Sequence, residues 1–220
     1  MVTGIILTAV TAYLLGSLNC AIITVRLMFK EDIRTKGSNN AGLTNTLRCY
    51  GKIPAVLTLI GDLAKGIIAV LIGKMIFLIL GFGWPVTQEL SFIGYLAGLF
   101  AVVGHVFPVF HKFKGGKGVL VCASVLIVID PMLFFIMILS FVLVAFFTRY
   151  VSVGSIAAAL IYPFAVFFTQ YTVQKMELQF AVINCAIVAV TAAVLIVMHR
   201  GNIKRLIAHT ENRIDLTKYF

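Results

Sequence analysis

Three lysines, two histidines and a group of glycines lie between two apolar stretches, in residues 104–118. Glycine permits backbone conformations with positive φ and lets the backbone approach a ligand closely. Lysines beside backbone N–H groups that lead into a helix form a site for anions. The segment therefore predicts an anion-binding loop. The alternative is a loop whose lysines only set membrane orientation, because positive loops are common in membrane proteins.

A nucleotide is not implied as the anion. A P-loop has a glycine five residues before the position of Gly116, where this chain has His111. It also has a serine or threonine after its lysine, where Gly118 follows Lys117. The segment is therefore not a Walker loop.

Hydroxyl, amide and guanidinium groups gather in three further segments. Residues 37–48 are rich in Ser, Thr, Asn and Gly and end in an arginine, which suits hydrogen bonding to phosphate oxygens. An ordinary Asn/Gly turn region is the alternative there. Residues 148–155 hold an arginine and two serines, and residues 199–206 begin with a histidine. A lone histidine at a helix end is usually a cap or an interfacial residue, but four polar segments together favour a ligand site.

The elements that carry these segments are membrane helices. Of 220 residues, 61% are hydrophobic and only 12% are charged, whereas soluble domains have roughly twice that charged fraction. The apolar runs are continuous, unlike the alternating strands of a membrane barrel. We therefore predict an all-α integral membrane protein with one membrane domain over residues 1–220. The first segment lacks a basic n-region and a cleavage site, so it is read as a retained helix.

About seven transmembrane helices are predicted, at residues 4–25, 53–80, 90–110, 119–129, 132–148, 152–170 and 179–198. The fourth has eleven residues and reaches only about 16 Å, against a hydrocarbon core of about 30 Å. Asp130 and Pro131 end it, so residues 119–148 are predicted to form a short hairpin of two helices. A single long helix over 119–148 is the less favoured alternative.

The basic residues predict the orientation. Fifteen of the eighteen lysines and arginines lie in residues 26–52, 112–117, 149 and 199–220, whereas the connectors at 81–89, 130–131 and 171–178 contribute only Lys175. The positive-inside rule then puts the N-terminus outside, the C-terminus in the cytoplasm and all four polar segments on the cytoplasmic face. The net charge of +10 is better explained by this bias and by anionic lipid or substrate than by nucleic acid. Four scattered cysteines show no metal-ligand spacing.

The polar segments resemble those of the bacterial membrane glycerol-3-phosphate acyltransferases that use an acyl phosphate as donor, the PlsY family. The resemblance extends over essentially the whole chain. The matching patterns are Gly-Ser-x-Asn-x-Gly-x-Thr-Asn at 37–45 followed by Arg48, Asp62-x-x-Lys65-Gly66, Gly-His-x-Phe-Pro-x-Phe-x-x-Phe-Lys-Gly-Gly-Lys-Gly at 104–118, Thr-Arg-Tyr-Val-Ser at 148–152 and His-Arg-x-Asn-Ile-x-Arg-Leu at 199–206. The chain departs from the family at Asn39, where glycine is usual, at Leu43, where alanine is usual, and at Ala208–Glu211, where a glycine often precedes Thr-Glu.

The resemblance implies acyl transfer from an acyl phosphate to the 1-hydroxyl of glycerol 3-phosphate, the first step of phospholipid synthesis. Lysophosphatidic acid and phosphate are the products. It implies a bacterial inner-membrane enzyme whose site faces the cytoplasm, with acyl phosphate, glycerol 3-phosphate and membrane lipid as partners. No cofactor, metal or nucleic acid is expected. The implied catalytic residues are Ser38, His199 and Asn202. The implied substrate- and phosphate-binding residues are Asn40, Thr44, Asn45, Arg48, Lys114, Gly115, Gly116, Lys117, Arg149, Ser152 and Ser155.

A covalent acyl-enzyme is not expected. The sequence places no His/Asp pair near Ser38, and it contains neither Gly-x-Ser-x-Gly nor His-x4-Asp. Because an acyl phosphate is already activated, we expect direct attack by the glycerol hydroxyl. His199 and Asn202 would position it, and the donor's own phosphate would accept the proton.

Two other groups are interpreted as structural. Asp62 and Lys65 stand three residues apart, so they are predicted to form an ion pair within the membrane. The two histidines of the glycine-lysine segment, His105 and His111, are predicted to serve the structure.

The rival functions are a small anion transporter or a lipid-binding membrane protein. Transporters place polar groups near the membrane midplane, often on interrupted helices of repeated halves. This chain has its polar segments on one predicted face and shows no internal repeat, although the short hairpin would suit a transporter. A purely structural subunit is a third possibility, but it would not need so many hydroxyl and amide groups in its loops.

Overall fold

A computed structural model of the protein describes residues 2–80 and 87–214. Within these ranges the chain forms α-helices, short 3₁₀ turns and one π-helical turn. The α-helices are α1 Val2–Gly16, α2 Cys20–Phe29, α3 Leu43–Tyr50, α4 Lys52–Ile79, α5 Thr87–Val106, α6 Val119–Ile129, α7 Pro131–Thr148, α8 Val151–Phe168, α9 Leu178–Met198 and α10 Arg200–Ile207. Residues 81–86 of the predicted connector and the end of the basic tail lie outside the described residues.

The predicted all-α membrane architecture is confirmed. Among the described residues, six stretches are long and apolar enough to cross a membrane, and Val119–Ile129 is a seventh, shorter apolar helix. The six are Val2–Phe29, Lys52–Ile79, Leu90–His111, Pro131–Thr148, Val151–Val173 and Leu178–Met198. Helices satisfy every backbone polar group internally, which is what a span through hydrocarbon requires.

The first predicted helix differs from the structure, because it is divided into two. Helix α1 ends at Gly16 and α2 begins after Asn19, whose side-chain oxygen accepts the backbone N–H of Ile22 at 3.1 Å. Such an N-cap stabilises a new helix start. The break leaves carbonyl groups between the two helices, including that of Leu18, outside the helical hydrogen-bond ladder.

The break predicted after residue 129 is present. The carboxylate of Asp130 accepts the backbone N–H of Leu133 at 3.0 Å, and Pro131 occupies the first turn of α7. Both features favour a helix start. Residues 119–148 are therefore two helices and not one long helix.

Two compact units make up the chain, Met1–Ile129 and Asp130–Phe220. In the first unit, α1 packs on α4 and α5, and α4 also packs on α2, α3 and α6. The contact between α1 and α5 is close, since a Cβ atom at Gly16 would overlap the Ala101 carbonyl and one at Gly104 would overlap the Tyr13 carbonyl. Small residues at such contacts let membrane helices approach backbone to backbone.

In the second unit, α8 packs on both α7 and α9. Its membrane interior includes the Asn184 amide, which donates to the side-chain oxygen of Gln170 at 3.0 Å. The short helix α10 continues from the end of α9. The helices α3 and α10 lie in stretches that the hydropathy pattern marked only as polar, because a helix of eight residues, about two turns, gives little apolar periodicity.

Candidate functional site

Arg34 joins the two polar loops of the first unit. Its Nη1 donates to the carbonyls of His111 at 2.8 Å and Lys114 at 3.0 Å. Its Nη2 pairs with Asp32 at 2.7 Å. Hydrogen bonding from Arg34 lowers the pKa of Asp32 to about 2, so this carboxylate stays ionised at neutral pH. Arg34 is not among the site residues predicted from the sequence, because the two carbonyls that it binds lie 77 and 80 residues further along the chain.

Asn45 organises the loop that contains Ser38. Its buried amide donates to the carbonyls of Lys36 at 3.0 Å and Ile33 at 3.4 Å. Its side-chain oxygen accepts the backbone N–H of Ser38 at 2.9 Å. The structure therefore uses Asn45 to hold the loop, and this leaves the Ser38 side chain on the exposed surface.

Helix α3 presents two of the predicted phosphate-binding side chains together. Thr44 and Arg48 are both exposed and stand four residues apart, on the same side of the helix. Asn40, just before this helix, is partly buried. A hydroxyl and a guanidinium on one helix face can hydrogen-bond one phosphate group.

The glycines of the glycine-lysine segment serve close packing. The N–H of Gly115 donates to the Val106 carbonyl and that of Gly116 donates to the His105 carbonyl, both at 3.1 Å. A Cβ on Gly115 would overlap the His105 carbonyl, and a Cβ on Gly116 would overlap the His105 ring. These two amides thus bond within the protein, unlike the anion-facing backbone groups that the sequence predicts. Among the segment's glycines, only Gly118 has a positive φ, of 87°.

The lysines of the segment differ in exposure. Lys114 is exposed, whereas Lys117 is partly buried and lies just before α6. The Gly118 carbonyl accepts the N–H of Cys122 at 2.8 Å, which closes the first turn of α6. The earlier N–H groups of a helix have no partner within it. Lys117 therefore adds a positive charge beside the positive end of a helix dipole.

The predicted ion pair of α4 is confirmed. Lys65 Nζ lies 2.8 Å from Asp62 Oδ1, and both side chains are almost completely buried. His105 joins them, with Nδ1 2.8 Å from Lys65 Nζ. From the sequence, His105 is predicted to have a structural role, but its contact with this ion pair could not be predicted.

In the second unit, the predicted residues near the start of α8 occupy different environments. Arg149 is exposed and ends α7 in a left-handed conformation with φ 63°. Ser155 is buried, and its hydroxyl donates to the Val151 carbonyl at 2.9 Å. Ser152 is also buried, and its hydroxyl donates to Glu211 at 3.3 Å.

Glu211 accepts hydrogen bonds from three polar side chains, two of which lie on α10. One carboxylate oxygen accepts from Asn202 Nδ2 at 2.7 Å, as well as from Ser152, and the other accepts from Arg205 Nε at 2.7 Å. The Glu211 side chain is only 7% exposed. The sequence alone predicts no role for Glu211. The only sequence feature that distinguishes it is an acidic side chain in a mainly basic tail.

His199 stands at the junction of α9 and α10 and is buried. Its Nδ1 lies 2.8 Å from the Leu195 carbonyl, and because a carbonyl only accepts, Nδ1 carries the proton. In a neutral imidazole this makes Nε2 the nitrogen that accepts a hydrogen bond.

Replacing Glu211 with alanine is expected to lower the free energy of unfolding by about 2 kcal/mol, because Asn202, Ser152 and Arg205 lose a shared acceptor. Glu211→Gln should lose less, since an amide oxygen still accepts. Thermal unfolding of the purified protein in detergent measures both. The control is Glu31→Ala, which removes an exposed pair with Lys36 and an exposed hydrogen bond from the Tyr50 hydroxyl and should cost less than about 1 kcal/mol. Equal losses at positions 211 and 31 would contradict this role.

The predicted residues thus fall into two groups, each within one unit. The first unit contains Ser38, Asn40 and residues 114–117 in loops that Arg34 connects, and Thr44, Asn45 and Arg48 on α3. Arg149, Ser152, Ser155, His199 and Asn202 belong to the second unit. In the part of the chain that the structure describes, no group of three or more His, Cys, Asp or Glu residues could hold a metal ion.

Known proteins are similar to this chain in sequence and in fold. A family model described as glycerol-3-phosphate acyltransferase matches residues 6–209. A glycerol-3-phosphate acyltransferase of Francisella tularensis subsp. tularensis strain SCHU S4 is 39% identical over 203 residues, covering 92% of this chain and 89% of the relative. The glycerol-3-phosphate acyltransferase 2 of Moorella thermoacetica is 39% identical over 209 residues, covering 95% and 97%.

Two solved structures are similar to this chain. Both are crystal structures of PlsY (YgiH), an integral membrane glycerol 3-phosphate acyltransferase. Its glycerol 3-phosphate form has a TM-score of 0.78 and 32% identity, covering 98% of each chain. Its lysophosphatidic acid form has a TM-score of 0.74 and 32% identity, covering 96% of this chain and 95% of that chain.

Proposed function

Because the chain belongs to the family of integral membrane glycerol-3-phosphate acyltransferases, we propose that it transfers an acyl group from an acyl phosphate to the 1-hydroxyl of glycerol 3-phosphate. The products are lysophosphatidic acid and inorganic phosphate. The observation that carries this proposal is the similarity to one enzyme crystallised in a glycerol 3-phosphate form and in a lysophosphatidic acid form. These two molecules differ by the acyl group that is transferred.

The first unit supplies phosphate-binding groups. Both proposed substrates carry phosphate, so the enzyme must neutralise several negative charges. Arg48 offers a planar fork to a phosphate, and Lys114 and Lys117 offer point charges. The Ser38 and Thr44 hydroxyls are exposed in the same chain segment as Arg48. Asn45, Gly115 and Gly116 act indirectly, because their polar groups hold the two loops.

The second unit supplies Arg149 as a further cation and His199 with Asn202 to position the attacking hydroxyl. The Asn202 amide is oriented by Glu211, and the His199 ring is oriented by the Leu195 carbonyl. Oriented acceptors hold a hydroxyl in line with the acyl carbon, which lowers the entropic cost of attack. Ser152 and Ser155 bond within this unit, so they support the positions of these groups.

The acyl group moves in one step. The glycerol oxygen forms the new ester bond to the acyl carbon, and the bond from that carbon to the donor phosphate oxygen breaks. The hydroxyl proton passes to the departing phosphate, which is the strongest nearby base that the substrates provide. Among the described residues, no histidine or carboxylate is hydrogen-bonded to Ser38, which supports attack without an acyl-serine intermediate.

The distribution of lysine and arginine supports a cytoplasmic C-terminus and a site that opens to the cytoplasm of a bacterial inner membrane. Glycerol 3-phosphate would arrive from that side, and the acyl chain and the product would lie in the bilayer. Membrane lipid is therefore part of the working environment of the protein.

The test is turnover by the purified protein in lipid vesicles with an acyl phosphate and glycerol 3-phosphate, measuring phosphate release and lysophosphatidic acid. Both products should appear in equal amounts. Lysophosphatidic acid formed only from an acyl thioester would refute the donor. Anion binding without any product would favour a transporter or a lipid-binding protein. Capture of an acyl group on Ser38 during turnover would refute the one-step mechanism.

A further inference from the structure

Three buried polar residues lie beneath the loops of the first unit, and the proposed chemistry does not use them. Asp62 and Lys65 belong to α4, and His105 belongs to the last turn of α5. Their exposed fractions are 1%, 5% and 3%. Burial of an ionised pair within a membrane helix bundle is costly and usually marks a functional role.

Lys65 is at the centre of this buried cluster. Its ammonium group lies 2.8 Å from Asp62 Oδ1, 2.8 Å from His105 Nδ1 and 3.0 Å from the Leu18 carbonyl. A lysine ammonium has three N–H donors. The His105 Nδ1 and Leu18 carbonyl acceptors use two of them, and the ammonium forms an ion pair with the Asp62 carboxylate. Since the lysine donates, Nδ1 of His105 accepts, and the proton of the neutral ring is on Nε2. The cluster thus ties α4 to α5 and to the break between α1 and α2.

The opposite edge of the His105 ring faces the glycine-lysine segment. A Cβ on Gly116 would overlap His105 Nε2, and the Gly116 N–H donates to the His105 carbonyl at 3.1 Å. One histidine therefore contacts Lys65 on one side and the residue before Lys117 on the other. The ring can hold Gly116 in place only while Lys65 fixes its orientation.

The same cluster reaches the loop that carries Ser38. Asn19, next to the Leu18 carbonyl, donates from its amide to the Ala41 carbonyl at 3.3 Å. That carbonyl lies 2.5 Å from where a Cβ on Gly116 would stand. The two polar loops of the first unit thus come together at Ala41 and Gly116, next to His105, which accepts a hydrogen bond from Lys65.

Stability alone does not account for the cluster. Replacing a buried ion pair by well-packed apolar residues is often neutral or stabilising. An apolar interior would join α4 to α5 equally well, but it would not direct the Leu18 carbonyl or the His105 ring. What the polar groups add is a fixed direction for each hydrogen bond.

We propose that Lys65, with Asp62 and His105, is a positioning cluster that holds the Gly115–Gly116 backbone, and through it Lys117, in the geometry that binds substrate phosphate. The structural part concerns the loop alone. The kinetic part rests on the proposed function. None of the three residues is assigned contact with the reacting atoms.

The first test replaces the ion pair without leaving a lone charge, as the double variant Asp62→Leu/Lys65→Met. Hydrogen exchange at the Gly115 and Gly116 amides is expected to become at least about tenfold faster, because their acceptors are less firmly held. The value of kcat/KM should fall by about 10- to 10²-fold. The control is Lys74→Met, the same substitution further along α4, which should change neither quantity.

A second test isolates the histidine. His105→Leu removes the acceptor of Lys65, whereas His105→Asn keeps a side-chain oxygen close to the position of Nδ1. The asparagine variant should retain more loop protection and more activity than the leucine variant. In the leucine variant, the KM for at least one phosphate substrate should rise by about threefold or more. A merely smaller folded fraction would lower the apparent kcat and leave both KM values unchanged.

Each outcome decides the proposal. Faster exchange at Gly115 and Gly116 with a raised KM supports it. Unchanged exchange in folded variants overturns it, as does equal loss in the asparagine and leucine variants. If the double variant does not fold, the two histidine variants decide. If the wild-type protein makes no lysophosphatidic acid, the proposed function fails, but the exchange measurements still show whether the cluster holds the loop.

Discussion

Replacing Lys117 with alanine is expected to lower the rate of acyl transfer by about 10²-fold or more while the protein stays folded, and Arg48→Ala should behave alike. Each change removes a cation that we assign to substrate phosphate. A 10²-fold loss corresponds to about 2.7 kcal/mol of transition-state stabilisation, a normal cost for one charged hydrogen-bond partner. The measurement is phosphate release at several concentrations of each substrate, with thermal unfolding measured in parallel.

The control for Lys117 is Lys112→Ala. Lys112 is exposed in the same segment and was not assigned to phosphate, so its loss removes the same charge five residues away. We expect its turnover to stay within about threefold of the wild type, because Lys112 is not assigned to phosphate. The long-range electrostatic potential of the loop changes equally in both variants, so it does not account for a difference between them. Near-normal turnover of Lys117→Ala would refute the assignment. Equal losses in the two lysine variants would show that only net charge matters.

Gly116→Ala is expected to reduce activity by about 10²-fold or more, although it changes no charge and adds a single methyl group. That methyl would overlap the His105 ring and approach the Ala41 carbonyl at 2.5 Å. Neither neighbour can move freely, because the ring is bonded to Lys65 and the carbonyl is bonded to Asn19. We also expect the free energy of unfolding to fall by about 1–3 kcal/mol, as is typical of overpacking.

Gly201→Ala is the matched control for Gly116→Ala. Gly201 lies within α10, and a Cβ there would meet only Arg205 Nη1, at 3.6 Å. Alanine also favours helix over glycine by roughly 1 kcal/mol, so stability should be unchanged or higher. Kinetics and thermal unfolding of both variants measure the contrast. Wild-type activity in Gly116→Ala would show that the segment does not depend on this close approach.

Most of the fold could be predicted from the sequence because it depends on local properties. Apolar runs give the helices, and Asp130 with Pro131 gives the start of α7. The ion pair of Asp62 and Lys65 could also be predicted, since residues three apart share a helix face. The division at Gly16–Asn19 was missed because the apolar residues continue across it, and only the cap at Asn19 shows that a new helix begins.

The candidate site was harder to predict from the sequence. The sequence predicts which residue types suit phosphate and places them in polar segments, and their role in binding stays a prediction. It did not show that the N–H groups of Gly115 and Gly116 bond to α5 or that Asn45 holds the backbone of Ser38. The latter two residues are seven positions apart, but their bond depends on the path of the loop between them. Periodicity carries no information about an irregular path.

By itself, the sequence determined that this protein is a helical membrane protein with polar, phosphate-compatible loops, because hydropathy and residue type are properties of each segment alone. The tertiary structure decided how the loops are held. Arg34 donates to a carbonyl that is 80 residues away in the sequence. Lys65 donates to His105, at a separation of 40 residues, and Ser152 donates to Glu211, at a separation of 59 residues. Such hydrogen bonds exist only after the helices have packed, since packing alone brings distant donors and acceptors within 3 Å or so of one another.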